Sequence, residues 1–136
     1  MGLHLEIVTP EKEVFSDEVS TVVVPGTEGE IGVLPAHAPV VTMLLPGELR
    51  YSKDGKEEEL AVGEGMLEIT GTRVAVLTDM ALAEHEIDED AVEEALKRAE
   101  ERKAGLVGDE EIAAVEASIQ KSLAQLQLKR KRRRNV

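Results

Sequence analysis

The 136-residue sequence predicts a β + α fold, an N-terminal antiparallel β-sandwich followed by a C-terminal antiparallel α-helical hairpin. Three features predict it. Hydrophobicity alternates with period two from Leu3 to about Leu82, and turn signals rich in glycine and proline break that stretch every several residues. Beyond Asp79 glycines become rare, charges multiply and the period becomes helical. The division falls at residues 1–84 for the β domain and 85–136 for the hairpin, each of small-domain size.

Along the first part, Leu3, Leu5 and Ile7 alternate with His4 and Glu6. Val19, Thr21 and Val23 alternate with Ser20, Val22 and Val24, Leu49 and Tyr51 with Arg50 and Ser52, and Leu67 and Ile69 with Glu68 and Thr70. Successive strand residues point to opposite faces, so each run lays one side on a core. Pro25-Gly26, Glu28-Gly29, Pro46-Gly47, Asp54-Gly55, Gly63-Glu64-Gly65 and Gly71 read as turns. Asp54-Gly55 is the strongest hairpin signal, because that dipeptide suits a two-residue turn in which both residues take positive φ.

In the second part, Asp88 is placed to cap a helix with Ala91, Val92, Ala95, Leu96 and Ala99 on its apolar side. Glu93 to Lys97 and Glu94 to Arg98 are i,i+4 pairs that would support it. Gly105 to Gly108 can end it, and Asp109 can cap a second helix whose stripe is Ile112, Val115, Ile119, Leu123 and Leu126. Neither stripe is broad. Alanine buries little area, so at ~25 cal/mol per Å² the hairpin is expected to dock weakly and to move.

Composition narrows the function. The formal charge is −12, but six of the 16 basic residues form one run, Lys129 to Arg134, leaving a body of −18 against a tail of +6. An acidic body argues against generic nucleic-acid binding. With no cysteine, disulfides, thiol catalysis and cysteine-ligated zinc or iron–sulfur sites are excluded. No apolar stretch approaches the ~20 residues of a membrane helix, and MGLHLEIVTPEKE is not a signal pattern, so the chain reads as soluble and intracellular.

Catalytic motifs are missing. The histidines at 4, 37 and 85 form no helical metal pair, and no metal or cofactor site is expected. Glu68 stands where a dinucleotide fingerprint would continue from Gly63 and Gly65, and there is neither a phosphate loop nor a GxSxG elbow. The chain is not expected to be an enzyme on its own.

The segment GEIGVLPAHAP, Gly29 to Pro39, combines two glycines, two prolines and a histidine among apolar residues. By itself it reads as a structured turn with a hydrogen-bonded histidine. Together with IVTPEKEVF (Ile7 to Phe15) before it and LTDMALAEHEID (Leu77 to Asp88) after it, the chain resembles the ε subunit of bacterial F-type ATP synthases over essentially its whole length.

The resemblance implies a noncatalytic rotor subunit of the central stalk, peripheral on the cytoplasmic face of the bacterial plasma membrane. It would couple proton-driven c-ring rotation to ATP synthesis and restrain ATP hydrolysis. The sandwich would bind the γ subunit and meet the c-ring loops, with Glu30 and His37 at the c-ring contact. The hairpin would extend along γ in an inhibitory state. Lys121 and Lys129, Arg130, Lys131, Arg132, Arg133 and Arg134 would then face an acidic segment of the catalytic β subunits.

Some relatives bind ATP through an Ile-Asp-x-x-Arg-Ala motif. Ile87 and Asp88 match its start, but Ala91 replaces the arginine and Val92 the alanine. Arg98 is a further candidate in a strongly acidic neighbourhood, so ATP binding is expected to be weak or absent. The alternatives are a nucleotide-responsive sensor module and a nucleic-acid binder acting through the basic tail.

Overall fold

The structure, a computed structural model, describes residues 2–134, with the side chains of His37, Arg132, Arg133 and Arg134 outside the described set. Ten strands form in chain order: β1 (Leu3–Val8), β2 (Glu13–Val19), β3 (Thr21–Gly26), β4 (Gly29–Val33), β5 (His37–Leu44), β6 (Gly47–Lys53), β7 (Lys56–Val62), β8 (Gly65–Gly71), β9 (Arg73–Thr78) and β10 (Ala81–Ala83). A single 3₁₀ turn, Glu84–Glu86, leads into α1 (Glu89–Ala104) and α2 (Asp109–Arg134).

The strands follow the order β10-β7-β6-β3-β5-β8-β9-β1-β2, with β4 paired to β3. Pairing is antiparallel except between β1 and β9. The sheet folds back on itself at one corner, where β3 and β5 share only the Gly26–Leu44 pair. At Gly26 a Cβ would lie 2.7 Å from Cδ1 of Ile31, so a larger residue would have to push the end of that side chain aside. The β2 edge comes back against the other layer, where Phe15 of β2 packs on Tyr51 of β6, ring centroids 4.6 Å apart. Between the layers lie Leu3, Leu5, Ile7, Val22, Val24, Leu44, Leu49, Leu67, Ile69, Val74 and Val76, all buried as alternation requires.

Asp54 and Gly55 take φ of 51° and 79°, the two positive values of a type I′ hairpin between β6 and β7. Two expected features differ. Pro25-Gly26 is the end of β3 rather than a turn, and the turn comes at Thr27-Glu28 before Gly29, φ 110°. The run from Val19 to Val24 is two strands broken at Ser20, whose N–H donates to the Ser52 carbonyl.

Asp88 caps α1 as expected, accepting a hydrogen bond from the Ala91 N–H at 3.1 Å. Asp109 opens α2 as its first helical residue, and the Ile112 N–H bonds instead to the Gly108 carbonyl. Glu93 pairs with Arg130 of α2 rather than serving the expected bond to Lys97. No residue of α1 is buried. In α2, Val115 and Leu126 of the expected stripe are buried, and so are Ser122, Ala124 and Leu128, which the stripe left out. Leu128 explains the difference: it lies in a second cluster with Ala61, Met80 and Ile87, beneath which β7 is buried on both faces. Ala61 is the small residue that lets the helix approach the sheet.

Candidate interaction surfaces

The outer face of the layer opposite α2 is the first surface. Strand register sets Met43 beside Met66, Met66 beside Leu77 and Leu77 beside Val8, so one row of four apolar side chains crosses β5, β8, β9 and β1. At ~4.8 Å per strand the row is roughly 14 Å long. Met43, Met66 and Leu77 are each at least half exposed, and Val41 and Leu45 extend the patch. The next row is Val41, Glu68, Ala75 and Glu6, and beyond it Thr70, Arg73 and His4, with Arg73 bonded to Glu6 at 3.3 Å. The face thus grades from apolar to polar, as a docking patch with a charged rim does. Sequence reasoning missed this face, although Val40-Val41-Thr42-Met43-Leu44-Leu45 is apolar on both strand parities, which signals a strand covered on both sides.

The second is the Gly29–Pro39 segment. Glu30, on β4, is exposed and accepts a 2.8 Å hydrogen bond from Nη1 of Arg50, which raises the arginine's already high pKa. His37 opens β5 on the far side of the Leu34-Pro35-Ala36 turn, its backbone opposite Gly71. Its side chain lies outside the described residues. The turn is tight: Ala36 takes φ 67°, and Leu34 projects into solvent.

The third is the hairpin. Lys121 lies 3.6 Å from Oδ2 of Asp79, in a recess of about 210 Å³ shared with Glu64 and Ser118. Lys129 pairs with Glu84 at 3.1 Å, Arg130 with Glu89 and Glu93, and Lys131 with Glu59 at 3.1 Å and Glu48 at 3.7 Å. The basic run, expected to face an outside acidic partner, is held within the chain along its described length. Arg132, Arg133 and Arg134 continue the helix with side chains outside the described residues.

Burial raises the pKa of Glu48, and its hydrogen bond with Glu59 adds to this, while Lys131 opposes both. The Glu59 hydrogen bond raises the pKa of Lys131.

The residues considered for a nucleotide are not gathered. Ile87 is buried in the second cluster and Asp88 caps α1. Arg98 is ten residues further along the helix, roughly 15 Å by helical rise. It lines a cavity of about 360 Å³ between α1 and α2 with Ala95, Arg102, Glu111 and Ser118. Among the described residues no group of three His, Asp or Glu side chains is placed to hold a metal, and no helix is long and apolar enough to cross a membrane.

Comparison with known proteins gives two adjacent family matches. Residues 2–84 match the family model described as ATP synthase, Delta/Epsilon chain, beta-sandwich domain, and residues 85–130 the one described as ATP synthase, Delta/Epsilon chain, long alpha-helix domain. The ATP synthase epsilon chain of Carboxydothermus hydrogenoformans is 49% identical over 100 residues, 74% of this chain and 75% of its own. That of Psychrobacter arcticus is 42% identical over 130 residues, covering 95% and 94%, and that of Herpetosiphon aurantiacus 39% over 133 residues, 98% of each. Among solved structures, a chain of the Euglena gracilis mitochondrial ATP synthase (OSCP/F1/c-ring, rotational state 1) superimposes with a TM-score of 0.76 at 22% identity, covering 93% of this chain and 79% of that one. The fold, both family models and relatives matched along nearly their whole length agree, and the chain belongs to the ATP synthase delta/epsilon chain family as an epsilon chain.

Proposed function

We propose that this chain acts as a noncatalytic rotor subunit of the central stalk, coupling proton-driven rotation of the c-ring to ATP synthesis and restraining ATP hydrolysis. The apolar row Val8, Leu77, Met66 and Met43 carries the reading. A sheet face that leaves three large side chains half exposed needs a partner, and γ is the subunit against which a stalk sandwich lies. Glu30, at the exposed β4 edge, is the contact offered to polar c-ring loops, where charge fixes register more than affinity. His37 follows it on the neighbouring turn. The subunit attaches to the membrane peripherally, through the complex. The hairpin supplies the brake, with Lys121 and the 129–134 run reaching acidic groups of the catalytic β subunits once it is extended.

Binding to isolated γ tests the central claim. Met66→Glu, at the middle of the row, is expected to weaken γ binding at least tenfold, as loss of a central anchor does. Glu68→Gln, in the next row, should change it little. Equal affinity for the parent chain and Met66→Glu would overturn the proposed face. The brake is tested separately by ATP hydrolysis in the reconstituted complex, where a chain ending at Ala83 should support faster hydrolysis than the full chain. Equal rates would remove the inhibitory role and leave the coupling role standing.

A further inference from the structure

Three consecutive residues near the end of α2 reach acidic groups on four different elements. At 100° per residue, positions 129, 130 and 131 fan over about 200° of the helix circumference. Nζ of Lys129 lies 3.1 Å from Oε1 of Glu84 and 3.4 Å from the Glu84 carbonyl, in the 3₁₀ turn. Arg130 turns to α1, bonded through Nη2 to Glu93 with Nε 3.9 Å from Glu89. Lys131 turns to the sheet, between Glu48 of β6 and Glu59 of β7. These last two carboxylates are only 20% and 13% exposed, and Oε1 of Glu48 is buried without a hydrogen bond.

We propose that Lys129 and Lys131 form an ionic clasp that holds the hairpin on the sandwich while Arg130 locks α2 to α1, so that this basic segment is paired with the chain's own carboxylates and its sandwich contacts are released only when the hairpin lifts. Lys131 is the central member. It brings positive charge to two carboxylates that are only slightly exposed, where ion pairing matters more than at an open surface. Lys129 closes the junction between sandwich and helix, and Arg130 ties α2 to α1, so the hairpin lifts as one unit. An acidic partner competes with these internal carboxylates for the same three cations, which makes its access depend on the hairpin state. That last consequence rests on the rotor reading above, whereas the clasp itself does not.

The chain has no cysteine, so donor and acceptor dyes placed by Lys56→Cys and Gln127→Cys, both at exposed positions, report the distance between sandwich and α2 in the full-length protein. Raising KCl from 0.05 M to 1 M, which shortens the Debye length from about 14 Å to about 3 Å, should increase the separated population of the parent. Lys131→Gln should increase it about tenfold at low salt and flatten its response to KCl. Lys131→Arg should dock like the parent, and the exchange Glu59→Lys with Lys131→Glu should restore docking. Circular dichroism of the sheet and γ binding should stay unchanged in all of these. A parent population indifferent to KCl, or a Lys131→Gln chain as docked as the parent, would overturn the clasp. Loss of γ binding by Met66→Glu bears only on the rotor reading, so the two can fail independently.

Discussion

Leu67 and Leu96 are the same side chain in two settings. Leu67, on β8, is fully buried between the two layers of the sandwich, while Leu96, on α1, is half-buried in a helix that buries no residue at all. The sandwich is held by apolar area enclosed on both sides. The hairpin is held by a few buried residues of α2, most of them in its second half, and by ion pairs at its end. Two parts built on such different forces respond to different perturbations: cavities break the first, while screening and small local changes loosen the second.

The largest effect should follow from Leu67→Ala. A buried leucine deleted from a closed core costs about 2–5 kcal/mol, so the urea midpoint of the sandwich should fall sharply. Leu96→Ala removes partly solvated area and swaps in a better helix former, so its cost should stay below ~1 kcal/mol. Similar losses from both would dissolve the contrast between the two parts.

Leu128→Ala ranks next because Leu128 is as buried as Leu67 but touches only one side of the sheet, through Ala61, Met80 and Ile87. The expected cost is about 2–3 kcal/mol, charged to docking rather than to the sandwich. Hydrogen exchange should therefore quicken across residues 122–131 while β8 and β9 stay protected. Equal loss of protection in both would mean that hairpin and sandwich unfold as one unit. A chain ending at Glu84 should then also fail to fold.

What the sequence makes legible follows the same contrast. Period-two alternation identifies the inner faces of β1, β6 and β8, and Asp54-Gly55 identifies its turn, because in both cases the cause is local. Asp88 is legible as a cap for the same reason. The corner at Gly26 is not, since it is made by one long-range pair, Gly26 with Leu44, that no local pattern marks. Nor are Glu48 and Glu59, which read as two acids among many until α2 folds over them. The basic run is visible as a charge cluster, but its partners lie 37 to 83 residues away along the chain. No pattern read from a short window contains such pairings. The site candidates therefore came from the family resemblance, whereas the apolar row and the clasp came from strand register and helix docking.

Asp88→Ala should have a smaller and confined effect. Losing the bond from the Ala91 N–H costs about 1 kcal/mol, typical of an N-cap. Its consequence is fraying of the first turn of α1, measurable by faster amide exchange at residues 89–92 with the sandwich unaffected. Asp88→Asn should preserve most of the cap, because its side-chain oxygen accepts the same bond.

The smallest effect is the most discriminating, because it isolates one carboxylate at the contact between the two parts. Glu48 is held above its ordinary glutamate pKa first by burial and then by its hydrogen bond with Glu59. When the hairpin lifts, the burial is relieved and the pKa returns toward the ordinary range. The docked form then binds a proton at Glu48 more tightly than the open form does. By linkage this group's contribution to docking is fully present below the open-form pKa and is lost as pH rises through the raised, docked-form value. Glu48→Gln stands in for the protonated carboxyl at every pH and leaves the Lys131–Glu59 pair in place. Followed with the same dye pair, Glu48→Gln should dock like the parent in acid and more firmly near neutral pH, the curves separating above the ordinary glutamate range. Parallel curves across that range would show that the covering helix does not set the charge on Glu48, and the two parts would then meet without electrostatic coupling at this residue.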